Sequence, residues 1–194
     1  MKKITSLAIW LTSLFMFGQE YDFKYPQDAN KKTEIKLSVT SLIAIAAFDA
    51  SYERLVNEGT SYGVSIFFNT DKNNNIDFPK EFSITPYYRW FFSERTFARG
   101  FFVEGFGVLN TVEDSYYENF YNTTTNYTSS NRIDKTLVRF ALGVSVGGKF
   151  TVRNGFTTEV FLGIGRNLLG DIDAVEYAGE NIISRGGVSL GYRF

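Results

Sequence analysis

Cysteine and histidine are both absent from the 194 residues of this chain. Without cysteine there is no disulfide, no thiolate zinc site, no thiol nucleophile and no lipid-modified N-terminal cysteine. Without histidine the chain lacks the acid/base that works near neutral pH and the most common metal ligand. We therefore expect a protein that is not an enzyme and that holds no metal or cofactor.

Proline is scarce and charge is almost balanced, with 3 prolines and a formal net charge of −1. A chain this close to neutral offers no basic surface for nucleic acid. Its one long apolar run, Ile4–Phe17, follows Lys2 and Lys3, and Gly18 precedes Gln19. This order is typical of a secretory signal. We predict a signal peptide over 1–18, a periplasmic linker over 19–32 and one domain over 33–194.

Aromatic residues are abundant, with 20 Phe and 12 Tyr, and apolar residues alternate with polar ones along much of the chain. Alternation puts the two kinds of side chain on opposite faces of a strand. It predicts eight strands and no helix. The predicted strands are Thr33–Leu42, Phe48–Val56, Ser61–Phe68, Phe82–Phe92, Gly100–Leu109, Leu137–Phe150, Phe156–Gly165 and Ile182–Phe194.

The connections between these strands alternate between short and long. Short turns are predicted at Asn57–Gly59, Ser93–Arg99 and Arg153–Gly155, and long loops at Asn69–Glu81, Asn110–Thr136 and Arg166–Asn181. Such alternation is typical of a transmembrane barrel with one periplasmic and one external end. We therefore predict an all-β, eight-stranded antiparallel up-and-down transmembrane β-barrel.

Large aromatic residues gather at the short-turn ends of the predicted strands, as in the interfacial belts of membrane barrels. They are Tyr52, Tyr88, Trp90, Phe92, Phe150, Phe156, Tyr192 and Phe194.

Several segments are similar to those of a known group of proteins. Pro86–Phe92, Ala98–Gly105 and Ser51–Arg54 resemble the outer-membrane barrels grouped as domain of unknown function 3575, and the resemblance runs from about Lys32 onward. Gly191–Phe194 is similar to the C-terminal signal that the barrel-assembly machinery of Gram-negative bacteria recognises. The resemblance implies that Tyr192 and Phe194 form this assembly signal. It implies no activity, because the group has none assigned.

Charged residues recur on the face of the predicted strands opposite the apolar one. Buried charges of opposite sign pair, and eight strands enclose a lumen that side chains can fill. We predict a structural salt-bridge network in the lumen; an ion path or a binding site is the alternative. The network is predicted from Glu53, Arg89, Glu104, Arg139, Glu159 and Arg185, with Lys36, Lys149 and Arg193 nearer the ends.

Two further groups of residues have a functional interpretation. Glu104 and Glu159 are a carboxylate pair of the kind that cleaves glycosidic bonds. Interleaved arginines would keep both ionised, so neither would be a good general acid.

Asp71–Asp77 has the alternating oxygen ligands of a calcium loop, but Ile76 and Phe82 stand where glycine and glutamate are needed. We therefore predict an ordinary polar loop.

The predicted loop between strands five and six is rich in tyrosine among Asn, Thr and Ser, the composition of adaptable binding loops. It is a candidate contact for an extracellular partner or a glycan. Its candidate binding residues are Tyr116, Tyr117, Phe120, Tyr121 and Tyr127.

The sequence thus predicts a structural or cell-surface interaction protein in the outer membrane of a Gram-negative bacterium. Its expected partners are outer-membrane lipids, lipopolysaccharide, the barrel-assembly machinery and an extracellular surface ligand. Two alternatives remain: a soluble periplasmic barrel that binds an apolar ligand, and a narrow ion-conducting channel.

Overall fold

The computed structural model describes residues 30–69, 80–92, 97–122, 127–169 and 181–194, and only the backbone of 80, 112–122 and 127–136. The described part is a closed barrel in which each strand pairs antiparallel with the next and β8 pairs with β1. The predicted all-β, eight-stranded up-and-down barrel is confirmed. Its strands are β1 Thr33–Ser38, β2 Ala47–Leu55, β3 Thr60–Asn69, β4 Lys80–Phe91, β5 Gly100–Asn122, β6 Tyr127–Thr151, β7 Phe156–Leu169 and β8 Ile182–Arg193.

Alternation along each strand sorts the side chains between the lumen and the outside. In β7, Val160, Leu162 and Ile164 are exposed on the outer face, whereas Thr157 and Glu159 are buried inside. The barrel is therefore apolar outside, while its interior holds charged and polar side chains together with aromatic rings, unlike the purely apolar core of a typical soluble protein.

The two ends of the barrel differ. At one, which we call the turn end, the backbones of Thr33 and Phe194 exchange hydrogen bonds of 3.0 and 2.8 Å. Strands β2, β4, β6 and β8 end at this side of the barrel, and β1, β3, β5 and β7 end at the other, which we call the loop end. The eight aromatic residues predicted for the turn end, from Tyr52 to Phe194, are all exposed on the outer face.

The chain after β1 differs from the prediction. Strand one was expected to reach Leu42, but β1 ends at Ser38 and a short helix, α1, spans Val39–Ile45. The Ser38 side chain caps this helix by accepting a hydrogen bond from the Ser41 backbone N–H at 3.2 Å. Ala46 ends it with a φ of 48°. The prediction of no helix is therefore wrong here, because local capping by Ser38 outweighs the alternation.

The prediction of a loop over Asn110–Thr136 is also wrong in large part. Strands β5 and β6 continue as a paired hairpin to Asn122 and Tyr127, although the described residues of β4 pair with β5 only as far as Val112. Residues 113–122 and 127–136 therefore form an arm beyond the wall, which we call the hairpin arm. Tyr and Thr favour strands, and mutual pairing satisfies the backbone. The five candidate binding residues, from Tyr116 to Tyr127, lie in these strands rather than in a loop.

The predicted signal peptide, the calcium-like segment Asp71–Asp77 and most of the linker lie outside the described residues. Among the described residues, no helix is long and apolar enough to cross a membrane.

Three inward rings each pack on a glycine directly opposite on the neighbouring strand. The register pairs are Gly63 with Tyr87, Gly143 with Phe106, and Gly147 with Phe102. A Cβ added to Gly147 would lie 2.6 Å from Phe102 Cζ, too close for any real contact. Small residues at these positions let large rings lie flat across a narrow lumen.

This packing predicts different effects for two alanine substitutions on neighbouring strands. We expect Gly147→Ala to lower the free energy of unfolding by about 1–3 kcal/mol, because Phe102 and Phe161 must move. The control Gly105→Ala places its methyl group 3.7 Å from Trp90 on the outer face, so we expect little change. Urea unfolding in detergent micelles measures both. Equal stability of the two variants would contradict the packing.

Candidate functional site: a charged lumen

The inward faces of several strands converge on a cluster of charged side chains in the lumen. Glu53 of β2, Arg89 of β4 and Glu104 of β5 each pair with an opposite charge and are almost fully buried, as is Glu159 of β7. The alternation of each strand puts these residues on its inner side, and closure of the barrel brings them together.

Arg89 is the centre of this cluster. Its Nε donates to Glu104 Oε2 at 2.6 Å, and its Nη1 donates to Glu53 Oε2 at 2.9 Å. Nη1 and Nη2 also donate to Oε2 and Oε1 of Glu159 at 2.6 and 2.7 Å, a bidentate pair. One planar guanidinium thus links β4 to β2, β5 and β7. A lysine could not make the same contacts, because its ammonium group lacks the planar, bidentate donor geometry of a guanidinium.

Aromatic rings lie close to the Arg89 guanidinium. Its central carbon lies 4.5 Å from the Tyr87 ring centroid and 4.4 Å from that of Phe102. A cation near an aromatic ring face is stabilised by the ring quadrupole.

Two lysines extend the network toward β1 and β6. Lys36 contacts Glu53 and lies 2.8 Å from Glu159. Lys149 lies 2.9 Å from Glu34 and 2.5 Å from Glu53. Glu53 therefore contacts three cations, which compensates the loss of hydration that burial imposes on its carboxylate.

The network reaches the turn end through Glu34 and Arg193. Arg193 Nε lies 2.7 Å from Glu34 Oε1, and its Nη1 and Nη2 donate to the Phe97 and Ala98 carbonyls, each at 3.0 Å. These bonds tie the last strand to the β4–β5 connection. The sequence prediction left Glu34 out of the network, although it shares the inner face of β1 with Lys36.

Toward the loop end, Arg185 contacts Glu104, which also accepts a hydrogen bond from Ser145 at 2.8 Å. The structure thus brings together five of the six residues predicted for the network, with Lys36, Lys149 and Arg193. The sixth, Arg139, is half-buried opposite Asn110 and forms no ion pair with the network among the described residues.

The two glutamates predicted as a glycosidase-like pair are both held in ion pairs with the same arginine. Arg89 contacts both Glu104 and Glu159, the predicted glycosidase-like pair, and each side chain is at most 1% exposed. Neither carboxylate is free to meet a substrate. In the described part of the chain, no group of three or more His, Cys, Asp or Glu could hold a metal ion.

No family model, curated protein or solved structure matches this chain. The resemblance to the domain of unknown function 3575 group therefore stays a prediction from the sequence.

Replacing Arg89 tests the network directly. We expect Arg89→Met to keep the volume of the side chain but to cost about 3–5 kcal/mol of folding free energy, because three buried glutamates lose a partner. The matched control is Arg153→Met in the exposed β6–β7 turn, where we expect almost no change. The folded fraction on unheated detergent gels, followed against urea, compares them.

Should Arg89→Met fail to fold at all, Arg89→Lys keeps one charge but loses the bidentate pair, and we expect intermediate stability. Wild-type stability of either Arg89 variant would contradict the network.

Proposed function

We propose that this protein is a small integral barrel of the Gram-negative outer membrane with a structural or cell-surface interaction role. The observation that carries the proposal is the reversed distribution of polarity. Side chains such as Leu162, 72% exposed, cover the outside, while four glutamates are buried inside. Hydrocarbon suits such an outer face, and closure satisfies the backbone groups that lipid cannot.

The charged lumen favours this function over the soluble alternative. A soluble barrel that carries an apolar ligand needs an apolar interior to receive it. Here the turn-end half of the lumen holds the salt-bridge network, and its aromatic rings pack on Arg89 and Lys149.

The same network supports a barrel that conducts no ions and catalyses no reaction. The side chains of Arg89, Lys36, Lys149 and the four glutamates are at most 1% exposed, so they fill the turn-end half of the lumen rather than line a water path there. A filled lumen is expected of eight strands.

Export by the signal peptide and recognition of Tyr192 and Phe194 by the barrel-assembly machinery belong to this proposal. Both residues lie exposed at the turn end, where an assembly factor could reach them. Outer-membrane lipids and lipopolysaccharide would then contact the apolar outer face.

One pair of arginine substitutions separates the membrane barrel from the soluble one. Leu162 lies at the middle of β7 beside Val146 and Gly186, whereas Val152 lies exposed in the β6–β7 turn. We expect Leu162→Arg to reduce insertion into lipid vesicles, at a cost of about 2–4 kcal/mol for a charge at the bilayer midplane. Val152→Arg should insert normally.

Insertion is measured by protease protection after mixing the unfolded chain with vesicles. In a soluble barrel both positions face water, so equal behaviour of Leu162→Arg and Val152→Arg would contradict membrane insertion.

The hairpin arm is the part of the barrel that we assign to surface interaction. Among the described residues, its strands pair with each other from Glu113–Thr136 to Asn122–Tyr127, beyond the last described pairs made with β4 and β7. The arm carries five aromatic residues among Asn, Thr and Ser. Residues held on paired strands lose less conformational entropy on binding a partner than residues in a flexible loop do.

Shortening the arm tests this role. Asp114 and Lys135 are register partners, so replacing residues 115–134 with Asn-Gly closes a two-residue hairpin without disturbing the wall. We expect normal folding on detergent gels and loss of binding of whole cells to glycan and matrix-protein arrays. Binding equal to that of cells with the full-length barrel would refute the role.

A further inference from the structure

Positive charge without a partner gathers outside the lumen at the turn end of the barrel. Among the described residues there, four exposed or half-buried cations accompany one acid, Glu58. The cations are Lys31, Lys32, Arg54 and Arg153. None of them forms an ion pair within the described part of the chain, whereas each cation of the lumen network pairs with at least one glutamate. The turn end therefore presents positive charge that no described side chain compensates.

Two of these cations lie at the corner where β8 meets β1, on the outer face. Lys31 Nζ lies 5.7 Å from the Tyr192 ring centroid and 3.4 Å from the Asn154 carbonyl oxygen. Arg54 of β2 donates from Nη1 to Thr33 Oγ1 at 2.9 Å. Tyr192 belongs to β8 and Thr33 to β1, and neighbouring strands lie about 5 Å apart. Both cations thus turn toward the same two strands, an area that we call the basic corner.

Most of the hydrogen-bond donors of the basic corner are unused. A lysine ammonium has three donors and a guanidinium has five. Within the described part of the chain, the Lys31 side chain makes one hydrogen bond and the Arg54 side chain makes one. The remaining donors are accessible from outside, because Arg54 is exposed and Lys31 is half-buried. Two neighbouring cations with spare donors are suited to the oxygens of a phosphate group.

An apolar surface continues from the basic corner toward the middle of the barrel. Ile35 and Tyr192 are register partners across β1 and β8, as are Leu37 and Leu190, and all four are exposed on the outer face. A ligand that fits both surfaces has an anionic head and apolar chains. Both surfaces lie on the outside of the wall, so the ligand needs no opening into the filled lumen.

We propose that the basic corner binds the head group of a glycerophospholipid with net negative charge, in the leaflet at the turn end. This rests on the membrane location proposed above. Lys31 and Arg54 contact the phosphate oxygens, and the acyl chains lie along Ile35 and Leu37. A zwitterionic lipid carries its own cation beside the phosphate, so it gains less from the two side chains.

Native mass spectrometry of the barrel in detergent, titrated with phosphatidylglycerol or phosphatidylcholine, tests the site. We expect the wild type to bind phosphatidylglycerol more tightly than phosphatidylcholine. Lys31→Gln and Arg54→Gln should each weaken the binding of phosphatidylglycerol about fivefold, and the double variant about twentyfold, because each cation attracts the head group separately.

Two further variants control for charge and for folding. Arg166→Gln removes an exposed arginine from the outer face of β7 at the loop end, and we expect unchanged binding. Arg54→Lys keeps the charge and should retain most of the affinity. Unheated detergent gels check that each variant is folded, and the single variants serve if the double variant is not. Wild-type binding of phosphatidylglycerol by the folded variants that lack Lys31 or Arg54 would overturn the site.

Competition distinguishes a lipid from a free anion. Glycerophosphoglycerol, which is the same head group without chains, and inorganic phosphate both lose the apolar contact with Ile35 and Leu37. We expect each to displace phosphatidylglycerol only at concentrations about a hundredfold higher than a competing lipid needs. Displacement at the same concentration as the lipid would indicate a site for free anions and would contradict the proposal.

Failure of this inference is distinguishable from failure of the membrane location. If the protein inserts into vesicles but binds the two lipids equally, the basic corner is not a lipid site and the membrane barrel stands. If the protein does not insert into vesicles, both are wrong.

Discussion

The contact of Arg89 with three buried glutamates is the constraint on which the barrel depends. Each of these carboxylates comes from a different strand, so the inner faces of β2, β4, β5 and β7 must meet at one guanidinium. A one-residue slip of any of these strands would turn its glutamate to the outside and leave a buried charge without its partner. The network therefore specifies the register as well as filling the lumen.

The remaining packing follows from fitting this network into a narrow barrel. Tyr87 and Phe102 lie close to Arg89, and each ring needs a glycine opposite, Gly63 and Gly147. With much of the lumen occupied by charges and rings, most of the large aliphatic side chains lie on the outer face. An apolar outer face around a charged interior is thus the consequence, and it supports the membrane location that we propose.

Alternation and turn spacing were enough to predict the barrel, because each strand presents one apolar and one polar face over most of its length. They also placed Glu53 and Arg89 on the inner side. They could not predict α1, because the alternation of β1 continues past Ser38 and the helix depends on a cap and on contacts with β2 and β8. The hairpin arm was missed because its many Asn, Thr and Ser residues interrupt the alternation of apolar and polar side chains by which the other strands were predicted. Which carboxylate each cation contacts depends on strand tilt across the lumen, which a linear pattern does not contain.

The central claim is that hydrocarbon, rather than water, surrounds the outer face of a barrel whose interior is ionic. Sedimentation of the purified mature chain, with detergent present and after its removal, tests it most directly. The account predicts a defined species carrying a belt of bound detergent, and aggregation once the detergent is gone. A single monomeric species in plain buffer would contradict it.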